Sequence, residues 1–244
     1  MVQGLQEAPA GAFDPELIGG MRRMLTRLSY QGRLPGRLAL LAALRGEGVT
    51  TAALALGATL ASDQGVRVCV VELNWWAPGL ETLITAAPPT PKRGWFGHKQ
   101  PPPPAPAAAS GPGLAGVLDG SVSLDEALIP STLPNLALLP AGDLPAERRP
   151  AAARGAELKA RIGQLSRRFE HVILDVPAVL GTSDAIALAA LGEACAMVVR
   201  QGVTPAASVR AALDEIGHTR VLGVILNRVR ISTPRWVHSF LPQE

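Results

Sequence analysis

Apolar positions in this chain fall into short unbroken runs separated by stretches of helical spacing. The runs are Leu38 to Ala43, VRVCVVEL at 66–73, NLALLPAG at 135–142, HVILDVPA at 171–178, CAMVVRQG at 195–202 and RVLGVILNRV at 220–229. Runs of this length, rich in Val, Leu and Ile and bounded by turn residues, fit parallel strands buried on both faces. Between them the spacing predicts helices over 15–31 (despite Gly19-Gly20, with Pro35 and Gly36 as the stop), 50–63, 151–168 and 205–217, the last with Pro205 at its start. TSDAIALAALG at 182–192 reads as a helix capped by Ser183 or Asp184, and GLAGVLDG at 113–120 and SLDEAL at 123–128 as shorter ones. Strands alternating with helices mean βαβ units. The expected fold is therefore α/β, three layers, with a mainly parallel central sheet and helices on both faces.

Three segments fall outside this pattern. Residues 1–14 are rich in Gly and Ala and are expected to be disordered. Residues 86–112 (PPTPKRGWFGHKQPPPPAPAAASGP at their core) form a Pro-rich, low-complexity insert with polyproline bias, read as a surface loop or a partner ligand. Residues 231–244 form a C-terminal tail. A single domain over 15–230 remains.

Composition narrows the function. Hydrophobic residues make up 48% of the 244, enough for a substantial core, and the formal net charge is only +3. That balance argues against a nucleic-acid surface, which carries a clustered basic face. The one dense patch, Arg22-Arg23 with Arg27, Arg33 and Arg37, reads first as a solvated helix face, then as a subunit or membrane-protein contact, and last as a nucleic-acid contact. Cys69 and Cys195 read as small buried hydrophobes, with no disulfide framework. The histidines at 98, 171, 218 and 238 lack metal-ligand spacing. No charged n-region with an apolar stretch opens the chain, and no run reaches the roughly 18–20 apolar residues of a membrane span. A soluble, cytoplasmic chain is expected.

The candidate chemistry lies at residues 42–51, AALRGEGVTT. A strand-like run, then glycines, then a hydroxyl opening a helix is the layout of a phosphate-binding loop, whose pattern ends G-K-[ST]. Here the ending is Gly48-Val49-Thr50. Gly46 and Gly48 remain to let backbone N–H groups approach phosphates, Thr50 remains as a Mg²⁺ ligand, and Asp175 ends a later strand where a metal-supporting acid is needed. The position of the lysine that would neutralise the terminal phosphate is Val49.

Taken in order, the loop, GLAGVLDGSVSLDEALIPSTLPNLALLPAGDLPAE at 113–147, FEHVILDVPAVLGTSDAIALAALGEACAMVVRQGVT at 169–204 and VLGVILNRV at 221–229 resemble the kinase domain of bacterial tyrosine kinases of capsule and exopolysaccharide assembly (BY-kinases), in the MinD/ParA-like branch of P-loop ATPases. The resemblance covers roughly residues 16–230. It implies a P-loop NTPase-like fold and ATP or ADP with Mg²⁺ as ligands, a site without nucleotide being the alternative. Arg45, Gly46, Glu47, Gly48, Thr50, Thr51 and Asn227 would surround the nucleotide, Asn227 at the adenine, and Thr50 and Asp175 would hold Mg²⁺ weakly. The implied partner is the cytoplasmic segment of a Wzz-like membrane polysaccharide co-polymerase, recruiting the chain to the inner face of the membrane, with homo- or hetero-oligomers open and nucleic acid not expected.

Departures from the family pattern set the functional expectation. Val49 replaces the lysine. The family's D-x-D is Glu72-Leu73-Asn74, and an amide cannot serve as a base at neutral pH. Trp76 stands where a basic residue is expected. Of a helix motif linked to ring assembly, E-x-x-R-x-x-R, the aligned residues are Gly19, Arg22 and Leu25. The tail ISTPRWVHSFLPQE has no tyrosine, and Tyr30 reads as a buried or boundary aromatic. Trp75 and Trp76 are read as core packing, a partner surface or a base-stacking pair, with one of them near the site mouth. Asp184 is a helix cap or a switch residue, and Arg200 and Thr204 are placed at the carboxyl edge of the sheet. No catalytic residue is assigned with assurance. The leading expectation is a pseudokinase regulator or scaffold in exopolysaccharide export. The alternatives are a divergent but active ATPase or tyrosine kinase, using Arg45 as the substitute cation, and a MinD/ParA-like positioning adaptor for another envelope machine.

Overall fold

The computed structural model describes residues 15–32, 34–85 and 111–228. Residues 1–14, Arg33, residues 86–110 of the Pro-rich insert and the tail from 229 lie outside them. The elements run α1 (Pro15–Gln31), β1 (Arg37–Ala42), α2 (Val49–Gln64), β2 (Val68–Glu72), α3 (Leu80–Thr85), α4 (Gly113–Asp119), α5 (Leu124–Ala127), β3 (Ile129–Pro130), β4 (Leu136–Leu139), α6 (Arg149–Arg154), α7 (Ala156–Arg168), β5 (His171–Asp175), α8 (Asp184–Ala189), β6 (Ala194–Arg200), α9 (Ala206–Glu215) and β7 (Val221–Asn227). The strands form one seven-stranded sheet in the order β3-β4-β2-β5-β1-β6-β7. All pairings are parallel except β3 with β4 at one edge.

Strict alternation along the central strands divides the core. Ala39 and Leu41 of β1, with Cys69 and Val71 of β2, face a cluster with Leu114, Leu158, Ile162 and Leu188 from α4, α7 and α8, and with Ile216 just past the end of α9. Leu38 and Leu40, with Val68 and Val70, face Met21 and Leu25 of α1, Leu56 and Leu60 of α2 and Leu80 of α3. Both cysteines are buried free thiols. The three-layer reading of the sequence therefore holds. None of the described helices is long and apolar enough to cross a membrane.

Several local expectations are corrected. The helix at 151–168 is two helices, broken at Gly155, whose backbone is extended (φ −71°, ψ 144°). Ser183 occupies the N-cap position of α8 but makes no capping bond with its side chain; the Asp184 N–H donates instead to the Thr182 hydroxyl at 3.3 Å. Of the basic patch, Arg37 belongs to β1, where it donates to the Leu191 carbonyl and faces Glu193. Arg22 is tied to Asp63 at the end of α2 at 2.6 Å, and Leu25 is buried. The remnants of the ring motif thus serve this chain's own packing. Tyr30 is not a boundary aromatic: it is 88% exposed.

Close packing of α2 on the sheet depends on Gly57. A Cβ there would meet Val70 Cγ2 at 2.8 Å and Leu136 Cδ1 at 3.2 Å. Gly57→Val is expected to destabilise by about 1–3 kcal/mol through overpacking, read as a lower urea midpoint at unchanged m-value.

Candidate functional site

The site forms where β1, β2 and β5 end together. β1 runs into the loop 43–48, and Gly46 and Gly48 there adopt positive φ (77° and 92°), which only glycine takes up without strain. Gly48 precedes α2 and offers no side-chain cap, so the first-turn N–H groups stay open, as an anion cradle needs. Val49 is the first residue of α2, half-buried and packed against the α1–α2 core layer.

Register puts two acids side by side. Glu72 of β2 pairs with Asp175 of β5, and Leu40 of β1 pairs with Asp175 on the other side. Their environments differ sharply. Glu72 accepts from the N–H groups of Gly79 (2.6 Å), Leu80 (2.9 Å) and Ala141 (3.1 Å). Burial raises its pKa, and these three bonds draw it partly back. It is a strut that fastens the loop after β2 and the exit of β4, with its lone pairs committed. Asp175 is fully buried, and neither carboxylate oxygen receives a well-formed hydrogen bond. Desolvation pushes it up to about 8; the Thr50 hydroxyl lowers it somewhat and Glu72 raises it, and no cation enters the balance.

The loop after β2 closes over the start of α2, since a Cβ on Gly79 would stand 3.7 Å from Thr50 Oγ1. Asn74 spends its amide on a turn with Ala77, donating to its carbonyl at 3.0 Å and accepting its N–H at 3.2 Å. Trp75 is 2% exposed and donates its indole N–H to the Ala141 carbonyl at 2.9 Å. Trp76 is half-buried, its ring 6.2 Å from that of Trp75 and 5.9 Å beneath the Arg149 guanidinium. The tryptophan pair is thus packed together, one inside and one at the margin.

On the far side of β1 the loop is stitched to β6 and β7. The Asn227 amide donates to the Glu47 carbonyl at 2.7 Å and lies close against Gly48. The Thr204 hydroxyl donates to the Glu47 carboxylate and accepts the Arg200 N–H at 3.2 Å. Glu47 is 3% exposed and leaves Oε2 without a partner. Thr51 continues α2, half-buried. Arg45 is exposed and extends over Gly181, its Nε 3.4 Å from where a Cβ there would sit. Asp184 is held by Arg154 in an ion pair. The structure therefore brings Thr50, Glu72 and Asp175 to one place and Glu47, Thr204 and Asn227 to another. Sequence reasoning missed Gly79, Ala141, Arg149 and Arg154, which reach the site only through tertiary contacts.

The donor set fits a magnesium diphosphate in part. Thr50 and the two open oxygens of Asp175 suit a hard cation, and the glycine loop with the start of α2 suits phosphate oxygens. A hydrocarbon at position 49 does not suit a terminal phosphate in transfer. A shallow cleft lined by Gly192, Glu193, His218 and Arg220 opens at the opposite, amino edge of the sheet, away from this chemistry. Among the described residues no group of three or more His, Cys, Asp or Glu is arranged as a metal site.

No protein-family model matches the chain. Curated relatives do: the succinoglycan biosynthesis transport protein ExoP of Rhizobium meliloti is 29% identical over 195 residues, 78% of this chain. The tyrosine-protein kinase ptk of Acinetobacter johnsonii is 28% identical over 124 residues, half of this chain. In sequence the chain is therefore similar to proteins of the BY-kinase family. Its fold agrees: the kinase domain of the Escherichia coli tyrosine kinase ETK superposes with a TM-score of 0.75 at 18% identity, covering 96% of this chain and 86% of that one. The VpsO kinase domain gives 0.71 at 21% identity, covering 88% and 95%. The septum site-determining protein MinD of Pyrococcus horikoshii, complexed with Mg-ADP, gives 0.58 at 20%, covering 85% and 77%. The BY-kinase-like chain spans only 22% of ExoP and 17% of ptk.

The Asp175 proton has a measurable consequence. From the ordinary 3.8 of the unfolded chain to about 8 in the fold, the native state holds a proton that the unfolded state has released. This residue's contribution to stability therefore falls as pH rises across that window. Asp175→Asn is expected to raise Tm relative to the parent by more at pH 8 than at pH 5, measured by thermal melts in matched ionic strength.

Proposed function

We propose that this chain is a catalytically degenerate BY-kinase domain that regulates or scaffolds exopolysaccharide export. It acts in the cytoplasm beside a membrane polysaccharide co-polymerase of the Wzz type and binds Mg²⁺-nucleotide weakly, without productive phosphoryl transfer. The observation that carries this reading is Val49 at the head of α2, together with an Asp175 that no cation offsets. Phosphoryl transfer relies on positioned charge at the terminal phosphate. Losing one positioned transition-state donor typically costs ~10²–10³ in rate, and losing a full cation costs at least that. The remaining arginines near the loop are otherwise engaged: Arg154 with Asp184, and Arg149 with Trp76 and the Leu144 carbonyl. Arg45 lies over Gly181. Glu72, with its oxygens committed to N–H groups, is no base.

The setting comes by analogy from the relatives' names, one a transport protein of succinoglycan biosynthesis and the other a tyrosine kinase. The higher TM-scores with kinase domains than with MinD favour this over a positioning adaptor.

Calorimetric nucleotide binding with and without Mg²⁺, run beside ATP turnover, tests the proposal. The parent should bind ADP only with Mg²⁺, because with Val49 in the loop the metal is the one cation left to offset the diphosphate beside Thr50 and Asp175, and should not turn over ATP. Val49→Lys should tighten binding by at least tenfold. Turnover by the parent at the rate of a working kinase, abolished by Thr50→Ala, would refute the reading.

A further inference from the structure

β7 is the outer strand at one end of the sheet, and its two faces differ. Leu222 and Ile225 pack against the layer of α1 and α2. On the other face stand Val221, Val224 and Leu226, in register with Cys195, Met197 and Val199 of β6. Those β6 residues belong to the core beneath α7, α8 and α9. The three β7 residues beside them are nevertheless 39%, 48% and 57% exposed. α9 packs towards the turn at 179–181 and leaves them bare. A parallel sheet is ordinarily covered on both faces. A row of branched apolar side chains on an edge strand without charge or Pro is a surface that another element covers.

We propose that the cover is the chain's own segment 234–241, docked as a short helix over Val224 and Leu226. Residues 232–242 read STPRWVHSFLP. Thr233 is a favoured N-cap, Pro234 suits the first helical position, and Pro242 is a stop. At helical spacing Trp236, Val237, Phe240 and Leu241 fall on one side, and Arg235, His238 and Ser239 on the other. The lengths agree. The described residues reach Arg228, just past the exit of β7. Residues 229–233 then match the usual strand-to-helix connection of about 2–6 residues. A helix over 234–241 spans about 12 Å. That is enough to run back from Leu226 over Val224 towards Val221, about 16 Å along the strand. So short a helix is marginal alone, and docking and helix formation go together. The short tether gives this segment a high effective concentration at the face, which a partner in solution lacks. β7 ends in Asn227, whose amide holds the Glu47 carbonyl of the phosphate loop at 2.7 Å, so the docked segment braces that loop from behind.

This inference goes beyond the functional reading and holds whether or not the loop takes a nucleotide. Hydrogen exchange read by mass spectrometry compares the full chain with its Trp236→Ser/Phe240→Ser variant. The amides of 221–227 should exchange at least tenfold faster in the variant, with β1 and β5 unchanged and both proteins monomeric by light scattering. Leu226→Ser should lower Tm in the parent and lower it no further in the tail variant, because changes that remove one shared contact are not additive. Unchanged exchange over 221–227, or additive losses in Tm, overturns the proposal. A parent dimer that the tail changes convert to monomer gives the face to a second copy and overturns it too. So does a parent that sediments with anionic vesicles through the tail while β7 exchange stays the same, which gives the apolar stripe to a membrane.

Discussion

Three backbone N–H groups converge on one carboxylate, and the site takes its shape from that convergence. Glu72 ends a fully buried strand and holds the amides of Gly79, Leu80 and Ala141. In doing so it binds the loop that closes over Thr50 to the exit of β4. The same exit accepts the Trp75 indole through the Ala141 carbonyl. A shorter acid at this position would not reach the same three donors from the same backbone.

The cost of that arrangement appears next door. Asp175 lies beside Glu72 without a well-formed hydrogen bond, and burial makes its ionised form unfavourable. In a loop carrying lysine, an ammonium would offset part of this negative charge. With valine in its place, a proton is the simplest neutraliser, and magnesium is the alternative the geometry accommodates. Across β1, Glu47 has one oxygen satisfied by Thr204 and the other bare. A hydrocarbon at position 49 therefore bears on the resting protein, where these buried acids meet no cation.

The fold was largely legible because its signals are local and redundant. Buried parallel strands are apolar throughout, and runs such as 171–175 and 194–200 announce themselves without context. The departures had specific causes. Gly155 breaks a helical pattern whose apolar spacing continues through it, and periodicity does not register a single extended residue. Ser183 stands at the N-cap of α8, but the hydroxyl that takes the Asp184 N–H is that of Thr182, a choice that three consecutive capping residues leave open. Tyr30 looked like a boundary aromatic because aromatics usually are; its stripe on α1 points away from the core, and the sheet lies on the other side.

By itself the amino-acid sequence determined the layering of the fold, the position of the glycine loop and the absence of an ammonium group at position 49, since each depends only on residue type and spacing along the chain. What Glu72, Glu47 and Asn227 do was decided by the tertiary structure alone. Their partners lie seven to 180 residues away, and whether a carboxylate is a base, a strut or a proton carrier depends on which N–H groups and how much water surround it, and chain order does not encode that.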